Sequence, residues 1–206
     1  MLKDGCNFKY PGHTEFLAKL ANLDKSVMML VCDKLRVVPI TIHVALNDVS
    51  KFLTEKLIIE TVRTTNQSLI DYFGIINPRI AISGLNPHAG ENGTFGDEEI
   101  HIIQPAVQIL KNEGLNIIGP LSADTMFHSA ARKQYDVAIC MYHDQALIPI
   151  KTIDFYGGVN MTLGLPFIRT SPDHVTAFEL AGTRKANPMS LINALELAHN
   201  TANERL

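Results

Sequence analysis

The chain has 206 residues, of which 46% are apolar and 19% charged, and its formal net charge is −3. This composition is typical of a globular protein with a hydrophobic core and excludes a disordered or fibrous chain. The weakly acidic balance gives no electrostatic reason to expect nucleic acid or a membrane surface as a partner, and no apolar run approaches the ~20 residues that span a bilayer.

Short apolar runs alternate with longer segments of helical periodicity along the chain. A first helix is expected after Thr14, whose hydroxyl is a candidate N-cap. Strands are predicted at 27–32, 35–41, 79–83, 136–141 and 159–162. Helices are predicted at 54–73, at 97–114 with a break at Pro105, and at 188–199. Strands that alternate with helices are typical of an α/β domain with a largely parallel sheet.

The three cysteines, Cys6, Cys32 and Cys140, form no C-x-x-C pair. An odd number without that spacing argues against a disulfide framework and against a thiolate zinc site. Cys32 and Cys140 each stand in an apolar run, so we expect buried free thiols and a reducing, cytoplasmic setting.

Three of the eight histidines, His43, His88 and His143, each come just past the end of a different predicted strand. Ligands of open α/β sheets bind beyond the carboxyl ends of the strands, so the three rings are expected to meet at one edge if their strands are parallel neighbours. Three imidazoles suit a divalent transition metal that keeps open positions for a substrate. The alternative is three unrelated loop histidines, and their matching places in the topology favour the metal.

Polar groups accompany these histidines. The turn at 86–91 is rich in residues that let the backbone approach a ligand. Asp144, beside His143, is a candidate to orient the ring or to accept a proton, and equally a candidate to cap the helix that follows. Asp124 is a second candidate for catalytic or polar support.

A cationic group follows in the chain. Lys151, Asn160 and Arg169 lie in a stretch otherwise poor in charge, which suggests an anion site for phosphate or carboxylate. Ordinary surface charge is the alternative, and it fits the lysine better than Arg169. His13 and Thr14 open a helical run, and a capped helix start offers N–H groups to phosphate, although plain capping is the simpler interpretation.

A dinucleotide would bind here without the usual fingerprint, because no G-x-G-x-x-G follows a strand and no G-x-x-x-x-G-K-[ST] loop is present.

The segments at 84–91 (GLNPHAGE), 141–145 (MYHDQ) and 158–174 (GVNMTLGLPFIRTSPDH) closely resemble the 4-hydroxythreonine-4-phosphate dehydrogenase family. The resemblance runs from about residue 12 to near the C-terminus. It implies the isocitrate and isopropylmalate dehydrogenase-like fold, an α/β/α architecture with two domains and a cleft. Family members carry a further N-terminal region, so residues 1–206 are expected to be the C-terminal portion that holds the metal- and substrate-binding segments.

The resemblance implies that His43, His88 and His143 bind one divalent ion (zinc, cobalt or magnesium) in a site shared across a homodimer interface. It implies that the phosphorylated substrate is held by His13, Thr14, Lys151, Asn160 and Arg169. The segment at 163–173 is expected to border the nicotinamide cofactor, NAD or NADP.

The reaction implied is oxidation of the secondary alcohol of 4-phosphooxy-L-threonine, followed by loss of CO2 to give 3-amino-2-oxopropyl phosphate, in pyridoxal 5′-phosphate biosynthesis. Two alternatives stay open. One is a sister dehydrogenase that acts on a four-carbon aldonate 4-phosphate, and the other is a truncated remnant without catalysis.

The sequence departs from the family pattern at Ile42, Ala45, Ala146 and Val175, where the family usually has Thr, Pro, Gly and Gly. Val175 matters if the backbone there needs a positive φ, which a β-branched residue resists.

Overall fold

The computed structural model describes residues 13–23, 26–173 and 178–204. The helices are, in chain order, α1 His13–Leu20, α2 Val49–Phe52, α3 Glu55–Phe73, α4 Gln104–Asn112, α5 Ala123–Met126, α6 His143–Ile153 and α7 Met189–Glu204. The strands are β1 Val27–Cys32, β2 Leu35–Pro39, β3 Ile80–Ser83, β4 Ile117–Leu121, β5 Val137–Cys140, β6 Val159–Leu163 and β7 Arg169–Pro172.

Within the described ranges, the strands form one seven-stranded sheet in the order β4-β3-β5-β2-β1-β6-β7. β4, β3, β5 and β2 run parallel, whereas β1, β6 and β7 are added by antiparallel pairings. The predicted α/β class is confirmed, and the parallel arrangement holds for one half of the sheet. The other half is antiparallel because β1 and β2 are joined by a two-residue turn, which reverses the chain without a helical crossover.

The long predicted helix is confirmed as α3. Thr54 caps its start by accepting a hydrogen bond from Leu57 N at 3.2 Å, and Gly74 ends it in the left-handed conformation at φ 62°. The helix predicted at 97–114 is broken as expected. A π-helical turn at Glu99–Ile103 precedes α4, whose second residue is Pro105, and proline has no N–H to donate to the preceding turn.

Two strands, β4 and β7, were not predicted from the sequence. β4 contains Gly119 and Pro120, two residues that are usually depleted in strands. β7 is half-buried along its whole length and consists of Arg, Thr, Ser and Pro, so no apolar alternation marks it. Both form edges of the sheet, where pairing with one neighbour sets the strand.

Hydrophobic clusters lie on both faces of the sheet. On one face, α3 and α4 pack against residues such as Met29, Ile80 and Met161. On the other face, α6 packs against Leu30 and Cys140. These three layers match the α/β/α architecture that the resemblance implies.

Two further sequence-based expectations concern the thiols and the membrane. Cys32 and Cys140 are buried free cysteines, and burial raises the pKa of both thiols, whereas Cys6 lies outside the described residues. None of the helices in the described part of the chain has the length and apolar character needed to cross a bilayer.

Candidate functional site

The three histidines singled out in the sequence follow three adjacent parallel strands. β3, β5 and β2 are consecutive in the sheet, and their pairings are parallel. His88, His143 and His43 come after the carboxyl ends of these strands, in that order. The expectation that their strands are parallel neighbours is therefore confirmed, and all three residues lie beyond the same edge.

His43 and His143 approach each other closely. Their ring centroids lie 6.0 Å apart, and both side chains line a depression of about 230 Å³ that Tyr142 and Asp144 also line. A zinc-bound imidazole nitrogen lies ~2.0–2.1 Å from the metal, which puts each ring centre roughly 3 Å from an ion. Two ring centres at the observed separation are therefore within reach of one shared ion.

Asp144 contacts the ring of His143 rather than capping the helix. The separation between His143 Nδ1 and Asp144 Oδ1 is 2.7 Å, and Asp144 is the second residue of α6, whose N-cap position is held by Tyr142. A carboxylate on Nδ1 fixes the orientation of the imidazole and leaves Nε2 to bind a ligand. Of the alternatives left open by the sequence, this contact supports the orienting role.

His88 lies in a left-handed turn. Residues 88–92 all have positive φ, with values of 53° at His88, 51° at Ala89, 42° at Glu91 and 57° at Asn92. This conformation costs ~1–2 kcal/mol for each residue with a Cβ atom, and such strain clusters at functional sites. The ring of His88 lines a separate depression of about 380 Å³, which shares Tyr142 with the depression at His43 and His143.

The two candidate carboxylates accompany different histidines. Asp124, an exposed residue in the first turn of α5, lines the same depression as His88. Its pKa is lowered first by the hydroxyl of Ser122, which donates to Asp124 Oδ1, and also by the charge of His88.

Glu99 supports the turn that carries His88. The residue is 1% exposed, and its Oε1 accepts hydrogen bonds from Leu85 N at 2.7 Å and Asn86 N at 2.8 Å. Gly90 is required beside it, because a Cβ there would lie 2.6 Å from Glu99 Oε2. The buried carboxylate therefore replaces water as the acceptor for backbone N–H groups in this loop.

The structure brings two of the three histidines together within one chain. Among the residues that it describes, no group of three or more His, Cys, Asp or Glu side chains is placed to hold a metal ion. His88, in the left-handed turn at 87–93, lines a different depression from His43 and His143, and Tyr142 lines both. The shared site implied by the resemblance stays a prediction.

The predicted anion-binding residues lie on one face of the sheet but are spread along it. Lys151 Nζ donates to Asp173, at 2.8 Å from Oδ2, and Arg169 Nη1 donates to Thr162 Oγ1 at 3.3 Å. Because a strand rises ~3.3 Å per residue, Arg169 and Asp173 lie roughly 13 Å apart along β7. Lys151, through its contact with Asp173, and Arg169 therefore lie near opposite ends of β7.

Asn160 lies between these two cations. It pairs with Leu30 in β1 and with Ser171 in β7, and its Oδ1 is buried with no hydrogen-bond partner. An unpartnered buried acceptor is costly in a folded protein. Burial also lowers the pKa of Arg169.

The N-terminal candidates lie elsewhere. α1 begins at His13, so Thr14 is inside the helix and the prediction that it caps this helix is wrong. Thr14 lines a cavity of about 430 Å³ together with Thr61 and Thr64 of α3. The side chain of His13 lies outside the described part of the chain.

The departures from the family pattern fall in different places. Ala146 is fully buried in α6, and Ile42 lines the depression at His43. Val175 lies outside the described residues.

Comparison with known families gives the decisive match. Residues 2–198 match the family model described as "Pyridoxal phosphate biosynthetic protein PdxA". The chain belongs to the PdxA family.

Several PdxA-like relatives are highly similar to this chain. The 4-hydroxythreonine-4-phosphate dehydrogenase of Bradyrhizobium diazoefficiens is 62% identical over 199 residues, which cover 95% of this chain and 58% of that protein. The protein of the same name from Roseobacter denitrificans is 58% identical over 202 residues, with 98% and 62% covered. The chain thus spans about three-fifths of the length of these relatives.

Solved structures agree with this assignment. The 4-hydroxythreonine-4-phosphate dehydrogenase from Klebsiella pneumoniae superposes with a TM-score of 0.85 at 46% identity, covering 94% of this chain and 59% of that one. A terephthalate 1,2-cis-dihydrodiol dehydrogenase from Burkholderia xenovorans has a TM-score of 0.75 at 30% identity, with 92% and 60% covered. The fold of the PdxA family is therefore shared with a dehydrogenase of another name.

Sequence reasoning missed two buried polar residues of this PdxA chain. Glu99 and Gln145 both reach the loop after β3, but neither stands in a pattern typical of a catalytic or ligand-binding residue. The only local signal was the pair Gly84 and Gly90, whose missing side chains leave room for Glu99. Burial of a polar residue depends on packing from distant parts of the chain, which a single sequence does not reveal.

Proposed function

We propose that this PdxA-family chain is the metal- and substrate-binding portion of a homodimeric oxidoreductase that acts on 4-phosphooxy-L-threonine in pyridoxal 5′-phosphate biosynthesis. NAD or NADP is the oxidant, and the products are 3-amino-2-oxopropyl phosphate and CO2. One observation carries the proposal. Histidines follow three adjacent parallel strands in a chain that is 62% identical to a 4-hydroxythreonine-4-phosphate dehydrogenase.

The reaction joins an oxidation to a decarboxylation. Hydride moves from the carbon of the secondary alcohol to the nicotinamide ring, and the hydroxyl proton is released. The resulting ketone lies β to the carboxylate, so the electron pair of the breaking C–C bond moves toward the ketone oxygen as CO2 leaves. A proton from solvent then adds to the carbon that carried the carboxylate, which restores the ketone of the product. A divalent ion, when bound, supplies Lewis acidity for the negative charge that develops on this oxygen.

The candidate ligands of the ion are histidine side chains. His43 and His143 offer two imidazoles from one subunit, and the contact from Asp144 fixes one of them. A second copy of the chain completes the ligand set in the shared site. Imidazole ligands suit zinc or cobalt better than magnesium, which prefers oxygen ligands.

The α6 side of the sheet holds the substrate. Lys151, Asn160 and Arg169 lie along this face, with a cation at each end and an unpartnered acceptor between them. Each cation can bind an anionic group of the substrate, its phosphate or its carboxylate. In the free protein Asp173 neutralises Lys151, and a substrate anion that binds Lys151 takes the place of this carboxylate.

The substrate assay decides between this function and its alternatives. The chain, loaded with Co²⁺ or Mg²⁺, is incubated with NAD or NADP and either 4-phosphooxy-L-threonine or a four-carbon aldonate 4-phosphate. We expect reduced cofactor and CO2 in equal amounts from the phosphooxythreonine. Turnover of the aldonate phosphate alone identifies the sister dehydrogenase, and metal binding without turnover of either compound identifies a non-catalytic remnant. Both results reject the proposal.

A further inference from the structure

The loops that follow β2, β5 and β3 are tied together by buried hydrogen bonds beyond the last paired residues of the strands. The centre of this network is Gln145, in the first turn of α6, which is 9% exposed. Its position on a helix places a neutral amide between two loops that carry candidate ligands.

Both polar groups of the Gln145 side-chain amide form hydrogen bonds. Its Oε1 accepts hydrogen bonds from Met141 N at 2.7 Å and from Ser83 Oγ at 2.8 Å. Its Nε2 donates to Gly84 O at 2.8 Å. The amide thus joins the end of β5 to the end of β3, and Gln145 lies 61 residues from Gly84 in the sequence.

Thr41 extends the network to the third loop. Its Oγ1 donates to Met141 O at 2.8 Å, and its backbone N–H donates to the same oxygen at 3.2 Å. Thr41 is 4% exposed, and both polar groups of the Met141 backbone are therefore bound by side chains of other elements. Met141 is the common point of all three loops.

The network ends close to the histidines. His43 is two residues from Thr41, His143 is two residues from Met141, and His88 is four residues from Gly84. We propose that Gln145 is a positioning residue that fixes these three histidine-bearing loops relative to one another. This inference rests on the proposed function, because it assumes that the histidines bind one metal ion.

The amide is the side chain that this position requires. Gln145 acts as donor and acceptor at once, whereas a glutamate keeps the acceptor and loses the donor toward Gly84 O. A methionine of similar length has neither. Loops that are not held in place must be ordered when the ion binds, and loss of a supporting residue typically weakens metal binding by ~10- to 100-fold.

The test measures Co²⁺ binding by the chain. Wild type, Gln145→Glu and Gln145→Met are titrated with Co²⁺, and both the dissociation constant and the visible absorption spectrum of the bound ion are recorded. We expect Gln145→Met to weaken binding by ~10- to 100-fold and to shift the spectrum, with a smaller effect for Gln145→Glu. The spectrum reports ligand geometry, which a loss of stability alone leaves unchanged in the folded fraction.

A matched control is available in α3. Thr65 is fully buried and its Oγ1 donates to Thr61 O at 2.8 Å, away from the histidine loops. Thr65→Val removes one buried hydrogen bond and is expected to leave the Co²⁺ affinity and spectrum unchanged. If Gln145→Met does not fold, Thr41→Val replaces it, since the backbone bond from Thr41 N remains.

The outcomes separate the two proposals. His43→Ala is titrated in parallel, and unchanged Co²⁺ binding in that variant rejects the metal site itself. If His43→Ala loses binding while a folded Gln145→Met, or Thr41→Val in its place, keeps the wild-type affinity and spectrum, the positioning role is wrong and the metal site stands.

Discussion

The neighbouring strands β3 and β5 are joined at both ends, but in opposite ways. At their amino ends, Asp136 N donates to Arg79 O, and the Asp136 carboxylate accepts from the backbone and guanidinium of Arg79 at 2.8 to 3.1 Å. This join is a charged pair whose arginine side chain is 44% exposed. At their carboxyl ends, the join is the buried neutral amide of Gln145.

From this difference we expect the amino end of the two strands to serve stability and the carboxyl end to serve the proposed function. The Arg79–Asp136 pair satisfies its own charges and sits beside regular backbone. The Gln145 end instead lies beside a left-handed turn with several residues at positive φ and beside His143, whose Nδ1 contacts Asp144. Strain of this kind persists only where the surroundings over-determine it, and here Glu99 and Gln145 provide those surroundings.

The largest expected effect is at the carboxyl end. His88→Ala should abolish turnover and weaken metal binding by more than the ~100-fold typical of an outer supporting residue, because it removes a proposed ligand itself. The ring is exposed, so the free energy of unfolding should change little. Metal stoichiometry and chemical denaturation measure the two quantities. The control is His101→Ala, an exposed histidine paired only loosely with Asp97 at 3.6 Å, and an unchanged stoichiometry in His88→Ala contradicts the assignment.

The next effect concerns the support of the His88 turn. Glu99→Gln replaces a buried carboxylate that accepts two backbone hydrogen bonds with an amide, and should destabilise the fold by about 1–3 kcal/mol. Hydrogen exchange at Leu85 and Asn86 should become faster. Glu98→Gln is the control, since Glu98 accepts from the Asn86 side chain and not from the backbone. Unchanged exchange rates at both amides would contradict this prediction, because they would show that the turn does not depend on Glu99.

The smallest effect is expected at the amino end. Burial raises the pKa of Asp136, but the hydrogen bonds from Arg79 outweigh it and leave the pKa below its ordinary value. The ionised form is therefore favoured in the folded state, and its contribution to stability is complete above the unfolded pKa of ~3.9 and lost as the pH falls through the folded value. Asp136→Asn should lower stability by about 1 kcal/mol at neutral pH, after allowance for solvent screening.

Urea unfolding at neutral and acidic pH measures this difference, which should vanish in acid. Co²⁺ affinity should be the same as in the wild type. A stability difference that is independent of pH, or a loss of metal affinity, shows that the two ends of the strands are not separate in role.

Much of the fold could be predicted because its signals are local. Thr54, Gly74 and Pro105 mark where helices begin, end or break, and each acts on backbone groups within one turn. The histidines could be placed after strands for the same reason. The edge strands β4 and β7 were missed because their own residues carry no strand pattern, and pairing with a neighbour defines them.

The candidate site could be predicted only in outline. The sequence indicated that Lys151 and Arg169 belong to one anion site, which stays a prediction, and the structure adds that they lie near opposite ends of β7 on one face of the sheet. The sequence also indicated three convergent histidines, and within the described part of one chain two of them, His43 and His143, have neighbouring rings. The charge and type of each candidate residue could be taken from the sequence. The distances between their side chains could not, because these depend on the register of strands that are far apart in sequence.

The amino-acid sequence by itself determined the α/β alternation, the limits of α3, the break at Pro105 and the residue types available for metal and anion binding, since these depend on neighbours within a few positions. Only the tertiary structure decided that β3, β5 and β2 lie side by side, and that Thr41 and Met141, 100 residues apart, share a hydrogen bond. Such contacts are fixed by how the whole sheet packs between its helices, so no local pattern specifies them.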